Sequence, residues 1–353
     1  MNISKIKGID LEAIAACVPE NTINNRNYAK EYFTDDMEAT ITALGIEERH
    51  ICRQISSTSL DLSIEAAKQI FNSGCVSREE IGGVIFVTLT PDNLMPNNAS
   101  LVQHKLGLPG DIPAFDLNHA CSGYVYGLWN ASLIAKSLNR KILLLDGDVN
   151  SKYVSQWDKS TGLLFGDAGT ASIVSPAMGE NEWLFTFSTD GSNREAIIIP
   201  GLGFRHPISV DHLDYKLHED GSKRRFIDIK MDGSKVFNYV VNWVPKMVTS
   251  FFEENEFFPD EFDYLILHQA NAFMLRKLAR KIGFDLNKMP ISVNKYGNTS
   301  SASIPLNICS EINNNNLNNL KLLLIGMGAG LSTGIASINT SETRSFGVVE
   351  VDL

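Results

Sequence analysis

No apolar run in this 353-residue chain approaches the roughly 20 residues that a membrane-spanning helix requires, so no such helix is expected. Cysteine is scarce and unpatterned. The five residues, Cys17, Cys52, Cys75, Cys121 and Cys309, are odd in number, widely spaced and free of any CxxC, which argues against a disulfide framework and a zinc site. Basic residues are outnumbered, 31 Lys and Arg against 41 Asp and Glu, and a formal charge of −10 makes nucleic acid an unsuitable partner. The opening MNISKIKGIDLEAIAACVPE lacks the long apolar stretch of a secretory leader, so a soluble cytoplasmic protein is expected. What is present is a folding composition: 44% hydrophobic and 20% charged residues exclude a largely disordered chain. The length exceeds what one core usually fills, so two domains or one duplicated architecture are expected.

Buried strands are predicted at GGVIFVTLT (82–90), PAFDL (113–117), KILLLDGD (141–148), TASIVS (170–175), YLILHQ (264–269) and KLLLIGMG (321–328). Helical patterns lie between them. Residues 59–74 place Leu60, Ile64, Ala67 and Ile70 on one face and stop at Gly74. Strands alternating with helices imply an α/β protein with mostly parallel sheets. Each half contains a strand that runs directly into a helix, with Cys121 at the junction in one and His268 in the other. This pattern suggests duplication, with halves at 1–177 and 178–353. The charged stretch 201–230 is too long for an ordinary connection and is read as a surface excursion, while NNNNLNN (313–319) is read as a helix end and loop.

Cys121 is the sharpest chemical signal. A strand-to-helix junction lies at the end of the sheet, where α/β ligands bind, and at the positive end of the helix dipole, which favours a thiolate nucleophile. The bland alternative is a small buried hydrophobe, which is the reading adopted for the other four cysteines. His268 in LHQAN and Asn298 in YGNTSSASIP are weak signals alone. Together with the thiol they form a candidate site of one nucleophile and two neutral hydrogen-bond donors, 147 and 30 residues apart in chain order. GMGAGLSTG (326–334) follows a strand without the lysine of a P-loop. It reads either as a tight structural turn or as a backbone turn that binds an oxyanion.

With these pieces in order, the chain resembles the β-ketoacyl-acyl carrier protein synthase III family of thiolase-fold condensing enzymes. The resemblance runs over nearly the whole sequence: GIEERH (45–50), DLNHACSGYVYGL (116–128), LFGDAGTA (164–171), STDGS (188–192), MDGSKVFNYVV (231–241), HQAN (268–271), YGNTSSASIP (296–305) and the glycine turn. It implies a five-layered αβαβα fold of two similar halves, acting as a homodimer in which Met95 approaches the partner's acyl pocket. It implies Cys121, His268 and Asn298 as the catalytic residues. Backbone N–H groups of Cys121 and of Ala329, or Gly330 beside it, would form the oxyanion hole. The implied substrates are acyl-CoA or acyl-carrier protein and malonyl-carrier protein, with no bound cofactor or metal.

Two departures stand out. The tryptophan and arginine with which such enzymes hold the CoA adenine correspond to Ala39 and Ala43, and a further basic position is Lys159. A weakly recognised nucleotide, and an acyl donor carried on protein, are therefore expected. Docking of an acidic carrier protein on an acidic chain needs a local basic face. Arg276, Lys277, Arg280 and Lys281 are the candidates, with Lys223, Arg224 and Arg225 as possible additions. The long 201–230 stretch suggests a specialised pathway. The competing functions are an ester- or amide-forming acyltransferase on the same fold, a noncatalytic partner subunit and a papain-like cysteine hydrolase.

Overall fold

The computed structural model describes residues 2–179, 181–312 and 317–353. Of the asparagine-rich run at 313–319, residues 313–316 lie outside the described residues, and Asn318 and Asn319 form a turn.

Two mixed sheets carry the fold. One runs in the order Arg344–Val351, Ile9–Pro19, Ala168–Pro176, Lys141–Asp148, Ile81–Val87, Ala114–Leu117. The other runs Ser4–Lys7, Glu182–Thr189, Ser332–Asn339, Lys321–Gly328, Tyr264–Leu267. Strand alternation gives each sheet two apolar faces. Along Lys141–Asp148, Ile142 and Leu144 enter the core shared by both sheets, whereas Leu143 and Leu145 face an outer core. Along Lys321–Gly328, Leu322 and Leu324 face the shared core, and Leu323 and Ile325 face the opposite outer core.

The shared core is filled by helices Gly123–Leu138 and Ser303–Glu311, which contribute Tyr124, Val125, Leu128, Ile304, Leu306 and Ile308. Helices Ser59–Asn72 and Asn98–Leu106 cover one outer face. Helices Gly233–Asn242, Val244–Asn255 and Ala272–Lys281 cover the other. The result is the five-layered αβαβα arrangement of the thiolase fold. Helix Ser59–Asn72 shows how locally this is encoded: Thr58 and Asp61 form a reciprocal capping box, and Leu60, Ile64, Ala67 and Ile70 are all buried.

Three expectations need correction. The sheets are not mostly parallel: among the described residues, five of the nine pairings in the two large sheets are antiparallel. One cause is the short turn at 329–331, which can join Lys321–Gly328 to Ser332–Asn339 only as an antiparallel hairpin. Secondly, the Cys121 and His268 junctions are not equivalent, because the helix after Cys121 is central and the helix after His268 is outer. The other central helix is Ser303–Glu311, which follows Asn298. Thirdly, Arg224 is no free cation. It is buried and paired with buried Asp158 at 3.3 Å and with Asp220 at 2.5 Å, pinning the hairpin Lys216–Leu217/Lys223–Arg224 onto the 155–159 segment. Arg225 is likewise taken up by Asp228 at 2.6 Å.

The 201–230 excursion returns through Ile229, whose N–H donates to Tyr153 O at 2.7 Å. Short strands Ile197–Ile198 and Lys230–Met231 close its neck. Among the described residues, no helix is long and apolar enough to cross a membrane.

Candidate active site

One cavity brings the three predicted residues together. Cys121, His268 and Asn298 all line it, with Ala329 and Gly328 of the glycine turn. Its walls enclose about 940 Å³, open mouth included, and its remaining surface is mostly aliphatic: Ile197, Ile199, Ile229, Met231, Val236 and Val240 contribute. A thioester with an apolar acyl group matches such a lining.

Cys121 closes the turn from strand Ala114–Leu117, just ahead of helix Gly123–Leu138. The strand Lys321–Gly328 presses on this turn. A Cβ on Gly326 would sit 2.7 Å from Ser122 Cα, and one on Gly328 would sit 2.6 Å from Cys121 Cβ and 2.9 Å from its Sγ. Only glycine permits that approach. Across the turn, Ser122 Oγ meets Ser332 Oγ at 2.7 Å and His119 Nδ1 at 3.1 Å, and Ser332 Oγ donates to Ala329 O at 3.0 Å.

Burial pushes the Cys121 thiol up to about 12, and the Asp148 carboxylate adds to the rise. The Ser300 hydroxyl and the backbone N–H groups of Cys121 and Ala329 act in the opposite direction. The expected thiolate is therefore corrected: at this buried sulfur, desolvation outweighs the Ser300 hydroxyl and the two backbone N–H groups. The same contacts place the Ala329 and Cys121 N–H groups toward the sulfur. Gly330, the alternative donor, does not line the cavity.

His268 follows strand Tyr264–Leu267 and is almost fully buried. Burial lowers its pKa to about 4, so the imidazole is neutral near pH 7. Its Nδ1 lies 2.7 Å from Ser303 Oγ. Asn298 is held by its backbone, which exchanges hydrogen bonds with the LFGD segment: Asn298 N–H donates to Leu164 O at 2.9 Å, and Gly166 N–H donates to Asn298 O at 3.1 Å. Asn298 Oδ1 accepts the Ser300 N–H at 2.9 Å, which orients the amide. Ser300 itself is a left-handed non-glycine residue, φ 54°, with Oγ 4.0 Å from Cys121 Sγ. Such conformations persist where the surroundings over-determine them.

Several motifs that make no contact with the sulfur prove to be scaffolding. Buried Arg49, from GIEERH, donates to Phe165 O at 3.0 Å and to Asn25 Oδ1 at 2.7 Å, bracing the segment that holds Asn298. Asp167 accepts from Cys52 N–H at 2.9 Å and from Ser151 Oγ at 2.6 Å. Sequence reasoning did not single out Arg49, Ser300 or Ser303. Their signal was present only as membership in a motif.

The remaining predicted residues lie outside the cavity. Arg276, Lys277, Arg280 and Lys281 are exposed on helix Ala272–Lys281, whose first turn supplies the cavity residue Met274. Lys281 Nζ donates to Val241 O at 2.8 Å, and Lys277 Nζ lies over the rings of Phe237 and Phe273. Arg276 and Arg280 have no ion-pair partner among the described residues. Met95 is 79% exposed and Leu94 82% exposed, apart from this chain's own cavity.

Comparison with known proteins places the chain in a family and identifies its fold. Residues 115–191 match the family 3-oxoacyl-[acyl-carrier-protein] synthase III, and residues 252–340 match its C-terminal family. A β-ketoacyl-[acyl-carrier-protein] synthase III of Streptococcus pneumoniae (strain Hungary19A-6) is 35% identical over 329 residues, covering 92% of this chain and 97% of its own. A crystal structure of a 3-oxoacyl-(acyl-carrier protein) synthase from Burkholderia xenovorans LB400 overlays with TM-score 0.91 at 29% identity, covering 99% of both chains. One of β-ketoacyl-[acyl carrier protein] synthase III from Thermus thermophilus overlays with TM-score 0.80 at 27% identity, covering 94% of this chain and 99% of its own.

Proposed function

The chain belongs to the β-ketoacyl-[acyl-carrier-protein] synthase III family of condensing enzymes, and from that premise we propose that Cys121, His268 and Asn298 carry out acyl capture followed by decarboxylative condensation. The observation that carries this reading is the convergence of the three side chains on one apolar cavity with two backbone N–H groups at the sulfur.

In the first stage the Cys121 sulfur attacks an acyl thioester. The Cys121 and Ala329 N–H groups receive the developing oxyanion, and the thiol's proton leaves on the departing thiol. No net proton is gained or lost, so a resting thiol is an adequate starting state. In the second stage a malonyl group on acyl carrier protein enters and loses its carboxylate as carbon dioxide. Neutral His268 and the Asn298 amide donate to the thioester oxygen as it becomes an enolate. The enolate carbon attacks the acyl carbonyl, the C–S bond to Cys121 breaks, and the sulfur takes up one proton. The product is a 3-oxoacyl thioester on the carrier.

The partner is an acyl carrier protein, which docks on Arg276, Lys277, Arg280 and Lys281 beside the cavity. The acyl donor is itself carrier-bound. Ala39 and Ala43 are exposed and offer no stacking surface, and Lys159 is already engaged by Asp35 at 2.5 Å. The exposed Leu94–Met95 pair supports a homodimer in which this loop meets a second copy. The long 201–230 excursion supports a role in a specialised branch of acyl-chain synthesis, and a cytoplasmic location is part of this reading. An ester- or amide-forming acyltransferase is the weaker reading, because the relative at 35% identity is named as a β-ketoacyl synthase.

The test separates the half-reactions. Cys121→Ala abolishes the acyl adduct seen by intact-protein mass spectrometry. His268→Ala still forms the adduct but releases carbon dioxide from malonyl-carrier about 10²–10³-fold more slowly, as expected for loss of an enolate-binding donor. Equal loss of both half-reactions in His268→Ala, or no carbon dioxide release by the native protein, defeats the proposal.

A further inference from the structure

A hydroxyl behind His268 decides which of its nitrogens can donate. Ser303 is buried and begins helix Ser303–Glu311. Its Oγ lies 2.7 Å from His268 Nδ1 and accepts the backbone N–H of Gln269 at 3.3 Å. Among the described residues that oxygen has no third hydrogen-bond partner. A serine hydroxyl carries one proton and two lone pairs. Were Nδ1 protonated, two N–H groups would converge on Oγ and the buried hydroxyl proton would have no acceptor, which is unfavourable. With Nδ1 as the acceptor the hydroxyl proton is satisfied, and the ring N–H that meets the Ser300 backbone carbonyl is then Nε2–H.

We infer that Ser303 is a positioning residue that donates its hydroxyl proton to Nδ1 of His268 and holds the neutral imidazole as its Nε2–H tautomer, so that an N–H rather than a lone pair is offered to the substrate. The inference rests on the reading of His268 as an enolate donor and deepens it.

The surroundings keep this geometry in place. Gln269, next in sequence to His268, is also buried. Its Oε1 accepts the N–H groups of Ser292 and Val293 at 3.0 and 3.3 Å, and its Nε2 donates to Leu267 O at 2.9 Å. The peptide whose N–H occupies Ser303 is thereby tied to helix Val293–Tyr296, which leads into Asn298. Asn307, on the same helix as Ser303, donates to Ser292 Oγ at 2.9 Å and closes the loop of contacts. A carboxylate would hold the same tautomer more strongly but would also favour the imidazolium. A neutral hydroxyl orients the ring without charging it.

The experiment is ¹⁵N NMR of the imidazole nitrogens in the full-length native protein, with the His268 signals among the seven histidines assigned by difference from His268→Ala. Acylation and decarboxylation rates are measured separately for Ser303→Ala and Ser303→Thr. The expected result is an acceptor-type Nδ1 and a protonated Nε2 in the native protein, lost or mixed in Ser303→Ala. Turnover of malonyl-carrier in Ser303→Ala falls through kcat with KM held, by between about tenfold and 10⁴-fold, the range bracketed by removal of groups that orient functional histidines. Acylation of Cys121 stays within about twofold, and Ser303→Thr restores decarboxylation because it keeps the hydroxyl. A protonated Nδ1 in the native protein overturns the inference. So does undiminished decarboxylation in Ser303→Ala, or an equal fall in both half-reactions. A native protein that shows the expected tautomer yet releases no carbon dioxide refutes the proposed reaction and leaves the Ser303 assignment standing.

Discussion

Replacing Gly328 by alanine tests whether close approach of the glycine strand is what arms the sulfur. The new methyl would lie 2.6 Å from Cys121 Cβ and 2.9 Å from Sγ. Carbon contacts relax at about 3.5–4.0 Å, so strand and turn must separate by roughly 1 Å. Ala329 is the next residue, and its N–H travels with the strand away from the oxyanion position. A misplacement of this size costs about 10²-fold in rate, similar to losing one oxyanion donor. The overpacking itself costs about 1–3 kcal/mol, a melting shift of a few degrees in a chain of this size. The assay is single-turnover acylation of Cys121 by an acyl thioester, followed by intact mass, beside a melting curve. Gly110→Ala is the control, since a methyl there has nothing within 4 Å. Native-rate acylation in Gly328→Ala, with the fold intact, would refute the claim that this contact sets the geometry.

Three further predictions concern charge. His268 has a folded pKa of about 4 against an ordinary 6.5, so between these values the unfolded chain binds more protons and stability declines as pH falls. The full effect is about 3 kcal/mol, and it is read as the pH dependence of the stability difference between native protein and His268→Ala from pH 7 to 4; a flat difference contradicts it. Reversing charge in Arg276→Glu/Arg280→Glu raises KM for malonyl-carrier and flattens its salt dependence, while the rate of Cys121 alkylation is unchanged. Unaltered KM would move the docking face elsewhere. Arg224→Ala leaves Asp158 buried without its cation and destabilises the protein by about 3–5 kcal/mol in urea or thermal unfolding; a loss below 1 kcal/mol would mean that water reaches the carboxylate.

Cys121, His268 and Asn298 could be picked out before any coordinates because strand-to-helix and turn signals are local. Their convergence was legible only through the resemblance, since 147 residues separate the thiol from the imidazole. Sheet direction was misjudged because the strand Ser332–Asn339 begins within the glycine turn and reads as its continuation. Arg49 and Arg224 look like surface cations in a one-dimensional pattern, and each is buried by partners from distant segments: Phe165 for one and Asp158 for the other. The thiol's ionisation was misjudged for a related reason, because a helix end is visible in sequence and the depth of a pocket is not. Ser303 is marked only by its place in the YGNTSSASIP motif. Its role depends on a ring nitrogen contributed 35 residues upstream.

The exchange of outermost strands has a consequence for assembly of the molecule. Ser4–Lys7 pairs with Glu182–Thr189, and Arg344–Val351 pairs with Ile9–Pro19, so each sheet borrows an edge from the opposite end of the chain. Residues Ala13 and Arg344 become neighbours across more than three hundred intervening positions. Such remote pairings come late and slowly, because a very large loop must close first. During synthesis the first sheet therefore waits with one edge uncovered until the last strand arrives, and a polypeptide cut at its midpoint would have to be rescued by its missing half.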